Sequence, residues 1–331
     1  MSETNGYRWG IAATGGVAER FAESMRSTGR GRIIAVGSRS VDRAREFAGR
    51  FEVPHAHGSY DELFSDPDVD IVYVGTPHGR HAEDVLRALE HGKHVLCEKP
   101  FALNAGQVRE AARVAAAQDR FVMEAMWSRF LPSYVAMADT IAAGRIGEPL
   151  MVEADFGWRG PVDPSNRHFD RALGGGALLE LGVYPVHLAL LVLGVPADIA
   201  AEGHIGTTGV DESVAAVLRH PGDGLSVVKA ALRIPMSCTA RIAGSEGWLE
   251  LPAFMHCPQS FTVRSPQGEQ VVEAGWDGDG FRFQVDEVHR CLDEGLRESP
   301  RMQLADRLAM TEVMDAVRAQ IGLRYPGEEG P

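Results

Sequence analysis

In the first 125 residues, short apolar runs alternate with stretches whose apolar positions recur every three or four residues. Tyr7–Ala13, Arg32–Gly37, Asp70–Gly75, His94–Cys97 and Phe121–Glu124 predict strands. Val17–Ser27, Ser40–Phe51, His81–His91 and Asn104–Gln118 predict helices between them; in the last, Val108, Ala111, Ala112 and Ala115 follow a helical period. Strands alternating with helices of this length imply βαβ units and a parallel sheet. After about Trp127 the rhythm changes. A helix is expected over Leu131–Ala143, ended by Gly144, and a β pattern opens near Leu150. Ser213–Arg219, Leu225–Ile234, Thr239–Ala243, Gly247–Leu251 and Ser260–Arg264 predict strands joined by glycine-rich turns. With no long helices between them, they imply an antiparallel sheet. Helices return at Arg282–Gly295 and Ala305–Ile321, and the ends, 1–6 and 326–331, read as frayed.

Length and charge narrow this picture. The 331 residues, 44% hydrophobic and 24% charged, suit about two domains. A net charge of −13 with no basic run makes nucleic acid and anionic membranes poor partners. The cysteines, Cys97, Cys238, Cys257 and Cys291, form no C-x-x-C pair and are expected as free thiols of a reducing cytosol. The N-terminus shows no charged segment leading into an apolar one, so no signal peptide is expected. The most apolar stretch, Ala177–Val195, contains Glu180, Pro185 and His187 and reads as a buried helix.

Candidate chemistry begins at the first strand-to-helix turn. Gly10, Ala12 and Gly15 have the spacing of G-x-G-x-x-G with alanine second, and Thr14, Gly16 and Val17 complete a turn suited to a pyrophosphate. An NAD site usually has Asp or Glu at the end of strand two. This chain has Gly37-Ser38-Arg39-Ser40, so Ser38 and Arg39 point to a 2′-phosphate and NADP is favoured over NAD. Thr76, Pro77 and His78 follow the next strand and are candidates for the nicotinamide side; for His78 an ordinary turn is as good a reading. His81 belongs to the first turn of the following helix.

"LCEKPF" then ends an apolar strand in Glu98-Lys99-Pro100. A lysine there would orient a substrate oxygen and depress the pKa of a neighbouring acid. Glu98 would pair with it, and Pro100 restricts its geometry. The turn over Gly10–Ala18, Thr76-Pro77-His78, Glu98-Lys99-Pro100 and the run Gly174–His187 together resemble the Gfo/Idh/MocA oxidoreductases. The resemblance implies a Rossmann domain over 1–126. It implies an α+β domain over 127–331 with an open, mainly antiparallel sheet that forms homodimers, the last helices packing back on the first domain. It also implies a catalytic Lys99 and makes Lys99–Pro100 a candidate cis bond.

Where many members carry D-x-x-x-H, this chain reads Glu180-x-x-x-Tyr184, and the i,i+4 spacing puts both side chains on one helix face. That pattern, with Glu124–Phe130, resembles the branch of dimeric dihydrodiol dehydrogenase, glucose-fructose oxidoreductase and NADP-dependent xylose dehydrogenase. Tyr184 would exchange the hydroxyl proton while hydride passes between substrate and nicotinamide. Trp127, Arg129, Trp158, Glu180 and His187 are expected at the substrate; for His187 a core role is as good a reading. No metal is expected. The leading substrate is a sugar or related polyol, the rival a trans-dihydrodiol of an arene. A silent nucleotide-binding regulator would be expected to lack Lys99 or Tyr184.

Overall fold

Apolar runs buried on both faces can pair only inside a sheet covered by helices, and those of the first part of the chain do so in parallel. The computed structural model describes residues 6–328, divided into two compact units. The first unit takes the chain up to Ala102, Gly106–Phe130 and Asp277–Arg307. The second takes Leu103–Ala105, Leu131–Trp276 and the chain from Leu308 on.

The N-terminal elements are β1 (Tyr7–Ala12), α1 (Gly16–Met25), β2 (Gly31–Gly37), α2 (Val41–Phe51), β3 (His55–His57), α3 (Tyr60–Ser65), β4 (Ile71–Val74), α4 (His78–Glu90), β5 (His94–Glu98), α5 (Ala105–Gln118) and β6 (Val122–Ala125). Their six strands lie in the order β3-β2-β1-β4-β5-β6, all parallel. This is the doubly wound order whose ligand crevice opens at the carboxyl ends of β1 and β4. Ile71, Val72, Tyr73 and Val74 are completely buried, as central strands require.

The next elements are α6 (Pro132–Ala142), β7 (Pro149–Gly157), α7 (Val183–Leu193), β8 (Asp198–Ile205), β9 (Asp211–Arg219), β10 (Leu225–Ala231), β11 (Ala240–Gly244), β12 (Trp248–Leu251), β13 (Ser260–Ser265) and β14 (Gly268–Glu273). They form an eight-stranded sheet, β14-β13-β12-β11-β7-β10-β9-β8. It is antiparallel except where β7 and β10 run parallel, joined across a connection that contains α7. Along β9, Val214, Ala216 and Leu218 are buried and Ala215, Val217 and Arg219 exposed, so one face is covered and the other open. Residues Arg171–Leu193 have the length and hydropathy of a membrane span, but 78% of the apolar window is buried inside the protein, and α7 packs on β7 and β10.

The last helices are α8 (Arg282–Asp293) and α9 (Leu304–Ile321). α8 belongs to the first unit: Trp9 Nε1 donates to His289 Nε2 at 3.0 Å, and Tyr7 stacks on the same imidazole. The fraying expected at 1–5 and 329–331 lies outside the described residues. At the C-terminal side the described part corrects that expectation, because Glu328 accepts hydrogen bonds from Arg318, Asn104 and the Tyr325 N–H. All four cysteines are free thiols.

Candidate active site

In the first unit the candidate residues gather at the carboxyl ends of β1, β2, β4 and β5. Ala12 ends β1, buried; Thr14, Gly15, Gly16 and Val17 form an accessible turn into α1. Gly15, the N-cap, supplies no side-chain acceptor, so N–H groups of the first helical turn remain for another one. A Cβ on Gly15 or Gly16 would meet nothing within 4 Å. Glu19, the acid of that turn, is engaged by Arg50 at 2.8 Å. Open space, available donors and the positive end of a helix fit a nucleotide pyrophosphate. Gly10 departs from the expected cofactor role. It lies inside β1, where a Cβ would meet Leu63 at 2.9 Å and Val69 at 3.1 Å. Its small size lets α3 pack on the sheet.

After β2, the buried Ser38 gives its N–H to the His57 carbonyl at 3.2 Å and accepts the Ser40 N–H at 3.3 Å. Ser40 caps α2 by accepting the Arg43 N–H. Arg39 is exposed and forms no ion pair among the described residues, so its guanidinium is available to an anion. After β4, Thr76 Oγ1 donates to Asp84 Oδ2 at 2.8 Å. Pro77 is the N-cap of α4 and His78 its first residue, buried with its ring 5.5 Å from that of His81.

His81 was placed in sequence only as a helical residue, and the fold gives it a larger part. It is completely buried, with one ring nitrogen 2.7 Å from the Pro100 carbonyl oxygen and the other 2.7 Å from that of Thr76. It therefore ties the turn after β4 to the turn that carries Lys99. Burial lowers its pKa against the pull of the two carbonyls. No spacing rule marks such a residue, because its partners are backbone atoms distant in sequence.

Glu98 ends β5, buried. Its Oε1 accepts the Tyr73 hydroxyl at 2.7 Å and its Oε2 the Lys99 N–H at 3.2 Å. Burial pushes this carboxyl above its ordinary range, with Lys99 acting in the opposite direction. Glu98 thus supports Lys99 from below; both oxygens are engaged by the protein. Lys99 is half-buried, and the Lys99–Pro100 bond is cis.

Two expected substrate residues are held inside the first unit. Trp127 is 3% exposed, packed edge-on to Phe281 with the Arg20 guanidinium 4.5 Å above its ring. Arg129 is paired with Asp306 at 3.1 Å. Neither is displayed as a free binding group, because aromatic packing and an ion pair consume the surfaces that a substrate would use.

The second unit gathers the others. Tyr184, 7% exposed, lies against Phe156 (ring centroids 5.6 Å) and His256 (4.8 Å). Trp158 stands edge-on to Phe156 and 5.4 Å from the His168 ring. Glu180 accepts two hydrogen bonds from Arg167, at 2.7 and 3.0 Å, with His168 Nε2 3.8 Å away. His187 is buried and stacks on Tyr134, whose hydroxyl donates to the Met255 carbonyl. His256 was not foreseen; it arrives from the loop after β12. The regular helix expected around Glu180 is corrected: Leu178–Gly182 is a π-helical turn ahead of α7. Tight approach at Gly182, where a Cβ would meet Leu178 at 3.1 Å and Ala230 at 3.3 Å, accompanies it. Such turns are rare and concentrate at functional sites. A chain of rings, His168–Trp158–Phe156–Tyr184, also runs from the side of Glu180 to Tyr184.

Residues 7–126 match the family of oxidoreductases with an NAD-binding Rossmann fold, and residues 134–250 match the GFO/IDH/MocA C-terminal domain. The chain belongs to the Gfo/Idh/MocA family. It is an oxidoreductase with an NAD(P)-binding Rossmann domain. It is 35% identical to a trans-1,2-dihydrobenzene-1,2-diol dehydrogenase of Xenopus laevis, over 96% of this chain and 99% of the relative. It is 34% identical to the Homo sapiens enzyme of that name, over 97% and 99%. Among solved structures it resembles a 3-ketoreductase from Actinomadura kijaniata in complex with NADP and TDP-benzene, with a TM-score of 0.85 and 28% identity over 96% and 98% of the two chains. An aldose-aldose oxidoreductase from Caulobacter crescentus shares the fold at a TM-score of 0.86 and 24% identity, over 96% and 97%.

Proposed function

We propose that this protein is an NADP-dependent dehydrogenase acting on a secondary hydroxyl of a small cyclic diol, the class that contains aldopyranoses and arene trans-dihydrodiols. The observation that carries the reading is Tyr184 in a polar-aromatic cluster of one unit and a supported Lys99 at the carboxyl end of β5 in the other. Aromatic faces at Phe156 and Trp158 suit the C–H face of a ring, and Arg167, His168 and Glu180 suit its hydroxyls. The curated relatives favour the dihydrodiol within this class, and the sugar-acting structural neighbour shares only the fold.

Bound NADP supplies the hydride acceptor, or NADPH the donor. Arg39 and Ser38 would hold its 2′-phosphate, and Gly15, Gly16 and Val17 its pyrophosphate. Tyr184 takes the hydroxyl proton in oxidation and returns it in reduction. A tyrosine of ordinary pKa near 10 is a poor base at neutral pH unless a cation stabilises its anion, and the role proposed for Lys99 is to orient the reacting oxygen. The similar 3-ketoreductase has been solved with a single tyrosine or a single lysine replaced. We further propose that the chain works in the cytoplasm as a homodimer joined through the open face of the eight-stranded sheet.

The test follows absorbance of the reduced nicotinamide with NADP or NAD, several aldoses and an arene trans-dihydrodiol. Turnover with NADP is expected. Lys99→Met and Tyr184→Phe should each lower it about 10²-fold or more while NADPH still binds by fluorescence. Unchanged turnover in both variants would overturn the mechanism.

A further inference from the structure

β3 is a three-residue edge strand, and its period of two sends His55 and His57 to the same face, with Ala56 on the other. Both imidazoles meet one oxygen. His55 Nδ1 lies 2.8 Å and His57 Nε2 2.9 Å from Asp66 Oδ2. These three ligand atoms all lie within 4.8 Å of one another. Asp66 itself is buried, at the C-cap of α3, while the imidazoles are reachable, with 40% and 22% of their side chains exposed. We propose that His55, His57 and Asp66 form a binding site for a divalent d-block cation of the zinc class, pinning the edge strand to the end of α3.

The donor set selects the ion. Two imidazoles and one carboxylate suit zinc, cobalt or nickel, whereas magnesium and calcium ask for oxygen ligands. Zinc bonds to nitrogen and oxygen are about 2.0–2.2 Å long, so ligand atoms at a tetrahedral angle stand roughly 3.3 Å apart. The two nitrogen–oxygen separations need to widen by only a few tenths of an ångström, which two half-buried rings provide by small rotations. Each ring would turn the lone pair of its inner nitrogen toward the ion. The fourth position would hold water.

The surroundings hold the carboxylate in place. Asp66 Oδ1 accepts the Asp68 N–H at 2.9 Å, and the buried Lys93 ammonium donates to the Asp66 and Val69 carbonyls at 2.6 and 2.8 Å. Burial works to raise the Asp66 carboxyl, and the hydrogen bonds from His55, Asp68 and His57 outweigh it, so it stays below its ordinary range and ionised. Lys93 opposes a second cation, while the chain's net charge of −13 favours one. The ligands therefore come preorganised on a strand and a helix end.

The experiment titrates metal-free full-length protein with cobalt chloride, following the visible bands of tetrahedral cobalt, and then with zinc chloride by calorimetry. One ion per chain is expected, with magnesium inert. His55→Ala, His57→Ala and Asp66→Asn should each weaken zinc binding by more than about 10-fold. Circular dichroism and NADPH binding certify that the variants are folded. If Asp66→Asn disturbs the end of α3, the two histidine variants decide alone. Absence of zinc binding by the unaltered protein overturns the proposal. So does binding that survives in the His55→Ala/His57→Ala double variant and is lost in Cys257→Ser, which would assign the ion to the adjacent His256–Cys257 pair.

Discussion

His81 shows how a single buried side chain can organise a site it does not enter. Its two ring nitrogens hold two carbonyls at 2.7 Å, one in each of the turns that carry Thr76 and Lys99. Cutting that tie in His81→Ala leaves Lys99 present but loosely placed. The expected outcome is a fall in kcat on the order of 10- to 100-fold with the substrate KM nearly unchanged, read by steady-state kinetics. Glu124 tests the same region by pH. It is buried, with Oε1 accepting the Phe101 N–H at 2.9 Å, and burial pushes its carboxyl from 4.5 up to about 7. Between those values the folded chain keeps a proton that the unfolded chain has released. Stability from this group is therefore present at low pH and falls as pH rises through the window. Glu124→Gln keeps the acceptor and removes the titration. Its urea midpoint should match the unaltered protein near pH 4.5 and exceed it above pH 7. These residue-level roles were poorly legible in sequence: Lys99 and Tyr184 stand out by type and position, whereas His81 and His256 depend on partners that only folding assembles.

At the scale of elements, amphipathic helices and central strands agree with the sequence pattern to within a few residues, because burial on a defined face leaves a period. The elements that pattern reading missed are the one-and-a-half-turn helix α3, too short to show a period, and edge strands. β3, β8 and β14 carry half-exposed or exposed residues along much of their length and bury too little apolar surface to mark themselves. The π turn before Tyr184 was equally silent, since it depends on contacts with β10. Gly176 enters that turn at φ 126°, and a Cβ there would stand 2.0 Å from Asp211 Oδ1. Asp211 Oδ2 accepts the Leu178 N–H at 2.7 Å and so anchors the start of the turn. Gly176→Ala combines backbone strain of about 1–3 kcal/mol with a steric clash. A lower urea midpoint together with reduced turnover is expected, since Glu180 and Tyr184 follow directly.

For the whole molecule, the open face of the eight-stranded sheet carries the main prediction. Val217 on β9 is 42% exposed and Leu225 on β10 is 36% exposed, and Val217 pairs with Val227 across the strands. Exposed apolar residues grouped on a sheet face suit a second copy of the chain. Val217→Lys should convert a dimer to a monomer in multi-angle light scattering without loss of the folded signal in circular dichroism. A monomeric unaltered protein would sink the dimer proposal.

The linear chain by itself determined the α/β character, the parallel pairing of the first unit, the glycine turn and the place of Lys99 at the end of a strand, whereas Tyr184 was marked only by the resemblance to the family. The first four follow from local steric rules or from periodic burial, which a sequence carries directly. Tertiary structure decided the rest: the return of α8 to the first unit, the withdrawal of Trp127 and Arg129 into packing and an ion pair, and the engagement of Glu98 beneath Lys99. It also brought His55 and His57 onto Asp66. These outcomes depend on which neighbours reach a side chain first, and that competition is settled only when distant segments are packed together.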